Sequence, residues 1–300
     1  MLEWFATARR PLPWRSPGRT PWGVLVSEVM LQQTPVVRVE PVWRAWQARW
    51  PDAGDLAAAS TADVLRAWGR LGYPRRALRL QECARAVVDQ HDGVLPTDEE
   101  TLRSLPGIGT YTAAAVVAFA HGRRSVVVDT NVRRVLARAL DGSALPPPHL
   151  GAAEMRRANE LVPSDDSTAA VWSAAVMELG ALVCTARSPR CTGCPIADRC
   201  AWLAAGSPAD EHAGRRRSQA WAGTDRQARG RVMALLRDAP TTVAAADVAT
   251  VWPDDGQLQR VLVGLLADGL VVRADERTDA DGRTDAAPTG YRLPGQPGMA

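Results

Sequence analysis

The sequence contains no lysine, and all 36 of its basic residues are arginine. Without lysine, the chain cannot catalyse a reaction through a lysine Schiff base. Arginine stays charged and offers paired donors to phosphate oxygens, which suits binding to nucleic acid. The net charge is only +3, however, and the basic excess lies within residues 1–205. Charge alone is therefore weak evidence for such a partner.

Long apolar runs are also missing. No eighteen consecutive apolar residues occur, so we expect no membrane-spanning helix. The N-terminal stretch MLEWFATARRPLPWR carries charges where a secretory signal would be apolar. With 300 residues and a hydrophobic content of 46%, the chain is long enough to form more than one core. We therefore expect a multi-lobed globular protein of the cytoplasm.

Cysteine is scarce but clustered. Of five cysteines, four follow the spacing C-x6-C-x2-C-x5-C. Disulfides are uncommon in the cytoplasm, so four neighbouring thiolates indicate an inorganic centre. A single CxxC pair is less typical of a zinc ribbon, and we predict a [4Fe-4S] cluster, with zinc or metal-free thiols as alternatives. The predicted ligands are Cys184, Cys191, Cys194 and Cys200, whereas Cys83 is predicted to be a core residue.

Helical periodicity dominates the chain from Trp22 to about Cys200. Apolar residues recur at helical spacing, and Gly, Pro or capping residues separate the segments. RRSVVVD is the one strand-like run there, and DGSALPPPHLGA is predicted to be a loop. Further along, three short helices are predicted at RQARGRVMALLRDA, TTVAAADVATVW and DGQLQRVLVGLLADGLVVRAD. The candidate strands LVVRAD and GYRLPG flank an Asp-rich tip. These patterns predict an all-α protein with a small winged-helix-like domain at its C-terminal end.

A glycine-containing turn, LPGIGTYTAAAV, precedes a long apolar helix. Two glycines two positions apart let backbone N–H groups turn outward beside a helix N-terminus, where a phosphate is favoured. We predict a hairpin between two helices that binds the DNA backbone without reading base sequence, and the alternative is an ordinary tight turn. The predicted contact residues are Gly107, Ile108, Gly109 and Thr110.

Two acidic residues stand in apolar surroundings. Glu28 has apolar neighbours at helical spacing, namely Val24, Leu25 and Leu31. Burial among them would raise the pKa of its carboxyl group. Asp129 follows an apolar run and is predicted to cap the next helix, which would lower its pKa. A carboxylate kept ionised there is suited to stabilising a developing cation.

Five segments and the cysteines stand in one order: SEVMLQQT, LGYPRRALRL, LPGIGTYTA, VDTNVRRVLAR, MELGALVCT and the four-cysteine run. In this order they resemble the helix-hairpin-helix glycosylases of the endonuclease III superfamily, and within it the adenine-specific enzymes. The resemblance covers Leu12 to Cys200, about two thirds of the chain. SEVMLQQT with the downstream VD-x-NV is typical of the adenine-specific branch, whereas the hairpin and the cysteines occur across the superfamily.

The resemblance implies a two-lobed helix-hairpin-helix glycosylase fold with an iron-sulfur loop. Residues 1–205 would form the glycosylase region. Within it, a six-helix lobe is expected at about 22–131, and an iron-sulfur lobe from 1–21 and 132–205. A linker at 206–224 would join this region to the winged-helix-like domain at 225–300.

The resemblance also implies a reaction. Enzymes of this family flip adenine out of a mispair with 8-oxoguanine or guanine and hydrolyse its bond to the sugar. By position, Glu28 would donate a proton to the base, and Asp129 would stabilise the cationic sugar. Tyr111 and Asn131 match positions that assist the transition state and position the nucleophile.

Further positions match residues that contact the bases. Those matching the adenine pocket are Arg10, Trp14, Arg15, Leu31 and Glu178. Those matching the wedge that enters the base stack at the lesion are Gln33 and Tyr73. Taken singly, each of these side chains has an ordinary alternative role in the core, at the surface or at a helix end. Their joint order in the motifs favours the functional interpretation.

Some features depart from the family pattern. Pro74 follows Tyr73 where many members have a second tyrosine, and Thr130 stands where glycine is common. Many relatives read 8-oxoguanine through a Ser/His-containing loop near their C-terminus, and residues 206–300 contain no such motif. The preference for the lesion is therefore a less direct expectation than the removal of adenine.

The absence of lysine indicates which branch of the superfamily the chain resembles. Endonuclease III has a lysine nucleophile at the position of Tyr111, so we expect a monofunctional glycosylase without lyase activity. The expected partner is double-stranded DNA with A:8-oxoguanine or A:G mispairs, bound by a monomer associated with the nucleoid. The alternatives are a thymine or oxidised-pyrimidine glycosylase of the same fold, and an inactive iron-sulfur DNA-binding module. An inactive module would be expected to have lost Glu28 or Asp129, and both are present.

Overall fold

A computed structural model of the chain describes residues 1–211, 213, 221–274 and 289–296. Its helices are α1 (Leu2–Ala8), α2 (Pro21–Leu31), α3 (Val36–Arg49), α4 (Ala53–Ala58), α5 (Thr61–Trp68), α6 (Arg75–His91), α7 (Glu99–Ser104), α8 (Thr110–Phe119), α9 (Thr130–Asp141), α10 (Ala152–Leu161), α11 (Asp166–Leu182), α12 (Ala201–Ala204), α13 (Asp225–Asp238), α14 (Ala245–Ala249) and α15 (Asp255–Ala267). The strands are β1 (Val243–Ala244), β2 (Val272–Ala274) and β3 (Gly290–Arg292). Helix dominates, as expected. Among the described residues, no helix has both the length and the apolar composition needed to cross a bilayer.

The chain divides into two compact units, and the first comprises residues 1–28, 95–104 and 108–218. Its core lies mainly between α9 and α11, where Val132, Val135 and Leu179 are buried. These residues recur three or four apart along their helices, so each helix presents an apolar face to the other. This packing brings α9, which follows VVVD, into contact with α11, which contains MELGA.

A turn joins α7 to α8, which pack against each other. The turn is LPGIG, so the predicted hairpin between two helices is present. Gly107 has a φ of +77°, a left-handed conformation that side chains other than glycine rarely adopt. A Cβ atom at this position would also lie 2.7 Å from the Cβ of Arg79. Glycine is therefore required for the hairpin to close.

The segment that precedes α9 is neither a helix nor a strand. Residues 123–129 have no β pairing in the described chain, and Val127 and Val128 are buried. The strand-like run RRSVVVD thus serves as a buried connection that delivers Asp129 to the start of α9. The proline-rich stretch at 142–151 contains no helix or strand, as predicted for a loop.

The second unit comprises residues 29–94, 105–107 and 219–300, of which the structure describes the parts given above. Helices α3 to α6 enclose a tryptophan-rich core. Trp46 meets Trp68 and Trp50 edge to face, with ring centroids 5.7 and 4.8 Å apart. Such pairs contribute more than the burial of their apolar area alone. Each unit combines stretches that are distant in the sequence, because the units are defined by packing. They therefore do not test the domain limits predicted from the sequence, which stay a prediction.

The C-terminal part of the second unit combines α13, α14 and α15 with a three-stranded antiparallel sheet in the order β1-β3-β2. The three helices and the strands β2 and β3 overlap the segments that the sequence predicts, and the winged-helix-like domain stays a prediction. One prediction was wrong: TTVAAADVATVW is not a single helix, because Val243 pairs with Tyr291 in the sheet and α14 begins only at Ala245. The Asp-rich tip at 275–288 lies outside the described residues. So does the RRRSQ run at 215–219, which the sequence predicts to be a solvated linker, with contact to DNA as the alternative.

Candidate active site and iron-sulfur site

Glu28 is buried within the first unit, with only 6% of its surface exposed. It lies towards the end of α2, and Val24 and Leu25 one turn earlier are buried as well. Burial raises the pKa of Glu28 to about 7, and the negative charge of Asp129 adds to this effect. A hydrogen bond from Tyr111 and the charge of Arg15 act in the opposite direction. Glu28 is therefore a carboxyl group that holds its proton near neutral pH.

Tyr111 belongs to the first turn of α8, just after the hairpin. Its hydroxyl donates to the Oε2 atom of Glu28 over 2.9 Å. Burial, followed by the negative charges of Glu28 and Asp129, raises the pKa of Tyr111 well above its ordinary value. The phenol consequently keeps its proton and can stabilise the Glu28 carboxylate once that group has released its own.

Asp129 caps α9, as the sequence predicted. Its Oδ1 atom accepts from the backbone N–H groups of Asn131 and Val132, at 2.9 and 2.7 Å. Its Oδ2 atom accepts from the Nδ2 atom of Asn131 at 2.7 Å. Contrary to expectation, the pKa of Asp129 is raised, because burial behind the apolar segment outweighs these hydrogen bonds. The site thus holds a buried carboxyl group, Glu28, and a half-buried one, Asp129, whose negative charge helps to raise the pKa of Glu28.

Sequence reasoning missed Arg134, which is buried one turn after Asn131. Its Nη2 atom donates to the Oδ1 atom of Asn131 at 2.8 Å and to the carbonyl oxygen of Gly180 at 2.7 Å. Its Nε atom donates to the carbonyl oxygen of Cys184 at 2.6 Å. A continuous chain of hydrogen bonds therefore runs from the Asp129 carboxylate through Asn131 and Arg134 to the first predicted cluster ligand.

Gly180 in the segment MELGALVCT makes this chain possible. A Cβ atom at Gly180 would lie 2.7 Å from the Cβ of Asn131 and 2.9 Å from its carbonyl oxygen. Only a residue without a side chain lets α11 approach the start of α9 this closely. Its place in a helix, where glycine is unfavourable, was the available sequence signal.

Glu178 is fully buried on α11 and gathers two arginines from the N-terminal segment. It accepts three hydrogen bonds from the backbone N–H, Nε and Nη2 atoms of Arg10, at 2.8 to 2.9 Å, and one from Nη1 of Arg15 at 3.0 Å. Burial opposes ionisation, but the hydrogen bonds of Arg10 and the charge of Arg15 outweigh it and hold the pKa of Glu178 at about 2. Four donors fill its acceptor positions, so Glu178 orients the arginines.

Trp14, the remaining predicted pocket residue of the first unit, is buried in the short 3-10 turn Pro13–Arg15. This turn includes Arg15, so Trp14 lies in the sequence between the two arginines that Glu178 binds. The structure therefore brings most of the predicted residues of this unit into two connected groups. One comprises Glu28, Tyr111, Asp129 and Asn131, and the other comprises Arg10, Trp14, Arg15 and Glu178.

Three predicted base-contacting residues belong to the second unit. Leu31 ends α2 and is half-buried, while Gln33 and Tyr73 are exposed on two loops. Gln33 has a φ of +55° and Tyr73 a φ of +47°. Left-handed backbone at residues other than glycine is uncommon and costs energy, so the surrounding structure must hold both loops in place.

Arg76 supplies this support, and the sequence did not reveal it. Its Nη1 atom donates to the carbonyl oxygens of Val29, Met30 and Gln32, at 2.7 to 3.0 Å. Its Nη2 atom donates to the carbonyl oxygen of Gly72 at 3.0 Å. Burial lowers the pKa of Arg76 to about 10, which leaves it charged. One guanidinium group thus joins the loop of Gln33 to the loop of Tyr73.

The four clustered cysteines line a single cavity in the first unit, together with apolar side chains from α9, α11 and α12. All four are free thiols. No group of three or more side chains in the described part of the chain is arranged to hold a single metal ion. A cluster spaces its ligands further apart than a single ion does, because each thiolate binds a different iron. Cys83 is buried elsewhere, as predicted.

Comparison with known protein families gives two matches. Residues 26–159 match the model of the HhH-GPD superfamily of base excision DNA repair proteins. Residues 184–200 match the iron-sulfur binding domain of endonuclease III. The second match begins at Cys184 and ends at Cys200, so it covers the whole predicted ligand set.

Curated relatives and solved structures extend these matches. The chain is 55% identical to an adenine DNA glycosylase of Mycolicibacterium smegmatis over 94% of its own length and 93% of the relative's. It is 50% identical to an adenine DNA glycosylase of Mycobacterium tuberculosis over 99% and 93% of the two lengths. Among solved structures, it resembles a thermostable thymine-DNA glycosylase with a TM-score of 0.60 and 28% identity, over 68% of this chain and 93% of the other.

The support given by Arg76 can be tested in the free protein. We expect Arg76→Lys to lower the free energy of unfolding by about 3 kcal/mol, because a lysine cannot reach carbonyl oxygens on both loops and leaves some unpaired. Amide hydrogen exchange should accelerate at residues 32–34 and 71–73. Arg79→Lys, on the exposed side of the same helix, is the matched control. Unchanged exchange in both loops would contradict the proposed support.

Proposed function

The chain belongs to the adenine DNA glycosylases of the HhH-GPD superfamily, and on this basis we propose that it hydrolyses adenine from A:8-oxoguanine and A:G mispairs. The observation that carries the proposal is the pair formed by buried Glu28 and half-buried Asp129. One member holds a proton near neutral pH, and both lie in surroundings of low polarity. Two carboxyl groups with divided roles are what the hydrolysis of an N-glycosidic bond requires.

Glu28 is proposed to protonate a ring nitrogen of the flipped adenine. Protonation turns the base into a neutral leaving group, so the bond between base and sugar breaks with its electrons moving onto adenine. The carboxylate left behind keeps the hydrogen bond from Tyr111, at 2.9 Å in the free protein. Because this donor is already in place, little reorganisation accompanies the proton transfer.

Asp129 is proposed to stabilise the positive charge that develops on the sugar. Its side chain is fixed by Asn131, which is fixed in turn by Arg134. A water molecule then adds its hydroxyl group to the anomeric carbon and gives up a proton to a carboxylate of the site. Asp129 must be ionised for this role, and its hydrogen bonds favour that form against the effect of burial.

Base recognition is proposed to involve Arg10, Trp14, Arg15 and Leu31, with Glu178 holding the two arginines in position. Gln33 and Tyr73 are proposed to fill the gap left in the base stack. The hairpin residues Gly107, Ile108, Gly109 and Thr110 are proposed to bind DNA phosphates through backbone N–H groups. The proposed partner is double-stranded DNA bound by a monomer on the nucleoid.

The chain holds a [4Fe-4S] cluster, and its ligands are proposed to be Cys184, Cys191, Cys194 and Cys200. Hydrolysis transfers no electrons, so the expected contribution of the cluster is structural. Arg138 supports the site: its Nη1 atom donates to the sulfur of Cys184 at 3.3 Å and to the carbonyl oxygen of Thr185 at 2.8 Å. Through Arg134, the same loop helps to hold Asn131 beside Asp129.

Base release from three duplexes tests the proposed substrate. We expect release of adenine opposite 8-oxoguanine and opposite guanine, and no release of thymine opposite guanine. Glu28→Gln should bind the mispaired duplexes and lower the rate by at least about a hundredfold, since the amide cannot donate the proton. Glu82→Gln, an exposed glutamate, is the control. Release of thymine, or near-normal turnover by Glu28→Gln, would refute the assignment.

The pKa of Glu28 predicts how the rate depends on pH. The group is active when protonated, so single-turnover rates should fall as pH rises through about 7. The same pKa shift affects stability. The carboxyl group ionises less readily in the folded than in the unfolded protein, so the free energy of unfolding falls as the pH rises above the pKa of the unfolded state. Glu28→Gln should therefore gain stability relative to the parent as the pH rises from 4.5 to about 7, and the gain should stay constant at higher pH. Parallel stability curves would exclude the raised pKa.

The missing lysine predicts the fate of the product. We expect an intact strand with an abasic site after base release, and no covalent adduct when borohydride is present. The measurement is gel analysis of the strand before and after mild base, with endonuclease III as a positive control for trapping. A trapped adduct at substantial yield would show that another amine attacks the sugar, which would contradict monofunctional hydrolysis.

A further inference from the structure

Three side chains of the second unit form a row: the ring of Tyr73, the guanidinium group of Arg226 and the ring of Trp221. The Cζ atom of Arg226 lies 5.0 Å from the centroid of the Tyr73 ring and 5.2 Å from that of the Trp221 ring. Both rings are substantially exposed, at 42% and 54%. We call this set the Tyr73–Arg226–Trp221 row. It joins a proposed wedge residue to the winged-helix-like domain.

Contacts between that domain and the helices α5 and α6 hold the row in place. Arg66 on α5 donates to the carbonyl oxygens of Ala239 at 3.0 Å and Arg237 at 3.3 Å, just where α13 ends. Asp268 pairs with Arg75 at the start of α6, at 3.3 Å, and also with Arg229 on α13. These contacts set the position of α13, so the backbone of Arg226 in its first turn is held beside Tyr73 while its exposed side chain can still move.

Arg226 has no acidic partner among the described residues, so its charge can interact with a ligand. Arg75 and Arg229 share the carboxylate of Asp268, whereas Arg226 forms no ion pair with any described residue. An arginine that contacts only exposed aromatic rings has all of its N–H donors directed to solvent or to a ligand. The donors of Arg75 and Arg229 are engaged by Asp268, and those of Arg76, which also lies over the Tyr73 ring, by backbone carbonyl oxygens, so Arg226 is suited to a new acceptor.

The position of Arg226 over the Tyr73 ring matters if this ring enters a base stack. A guanidinium group over an aromatic ring occupies space that a stacked base would take. Stacking of a base on an aromatic ring is stronger than an exposed contact between a cation and a ring. Arg226 would therefore move aside as Tyr73 enters, while α13 keeps it within reach of the adjoining base pair.

We propose that Arg226 then contacts the purine opposite the adenine, with Trp221 supporting its guanidinium group. Arginine donates to the O6 and N7 atoms of guanine, a common base-specific contact. In 8-oxoguanine the O6 acceptor is retained and C8 carries a further carbonyl oxygen, so the guanidinium group still finds acceptors. This inference rests on the proposed function of the chain. It assigns contact with the opposite base to a domain that lacks the Ser/His motif of many relatives.

The test compares Arg226→Ala and Arg226→Lys with Arg231→Ala. Arg231 is the matched control, because it lies on the same helix and contacts a ring, that of Trp252, at 5.1 Å. Dissociation constants would be measured in full-length Glu28→Gln protein, which should not consume the substrate. The duplexes carry adenine opposite guanine, 8-oxoguanine or a tetrahydrofuran abasic analogue. Thermal unfolding of each variant confirms that it is folded.

The expected result is selective. Arg226→Ala should weaken binding about fivefold or more opposite guanine and 8-oxoguanine, and leave binding opposite the abasic analogue unchanged. Arg226→Lys should recover only part of the loss, because a lysine lacks the paired donors. An equal loss on all three duplexes would indicate a phosphate contact and overturn the proposal. No loss on any of them would also overturn it.

The design separates this inference from the proposed function. If the parent protein released no adenine, the function would fail, yet binding that depends on the opposite purine and on Arg226 would still support the contact. If adenine release were normal and the Arg226 variants bound all duplexes as the parent does, only the contact would fail.

Discussion

The site depends on holding two carboxyl groups in one apolar interior. Burial disfavours the ionised form of each, and the charge of either raises the cost of ionising the other. The two carboxyl groups differ in the number of hydrogen bonds that they accept. Glu28 accepts one from a phenol, whereas Asp129 accepts two from backbone N–H groups of α9 and one from the side chain of Asn131. Unequal support favours a proton on Glu28 and a charge on Asp129, which is the division that acid-assisted hydrolysis uses.

Arginine is the main means by which this chain holds backbone in unusual places. Arg134 joins α9 and α11, Arg76 joins two strained loops, and Arg10 ties the N-terminal segment to Glu178. Arg134 and Arg76 each satisfy several acceptors that belong to different segments, and Arg10 binds both carboxylate oxygens of Glu178. Lysine carries three donors on one atom and could not span such sites. The absence of lysine therefore excludes one kind of chemistry and matches the structural use of arginine.

The sequence predicted those parts of the site that lie in local patterns. Glu28 among apolar residues indicated burial, the glycines of LPGIG indicated the hairpin, and the cysteine spacing indicated the cluster. What it missed depends on contacts between distant segments. The raised pKa of Asp129 follows from the partial burial of a capping residue by the fold. β1 forms only by pairing with β3, which lies about fifty residues further along the chain. The role of Arg76 could not be read from its neighbours, because its acceptors lie on two loops.

The central claim is that Glu28 holds a proton near neutral pH before any substrate is bound. Carbon-13 NMR of glutamate-labelled protein, with Glu28→Gln identifying the resonance, measures the titration of this carboxyl group directly. The structure predicts an apparent pKa of about 7. It predicts a higher value in Tyr111→Phe, because this change removes the hydrogen bond that lowers the pKa. A Glu28 resonance that titrates near 4.5, the ordinary value for glutamate, would contradict the account.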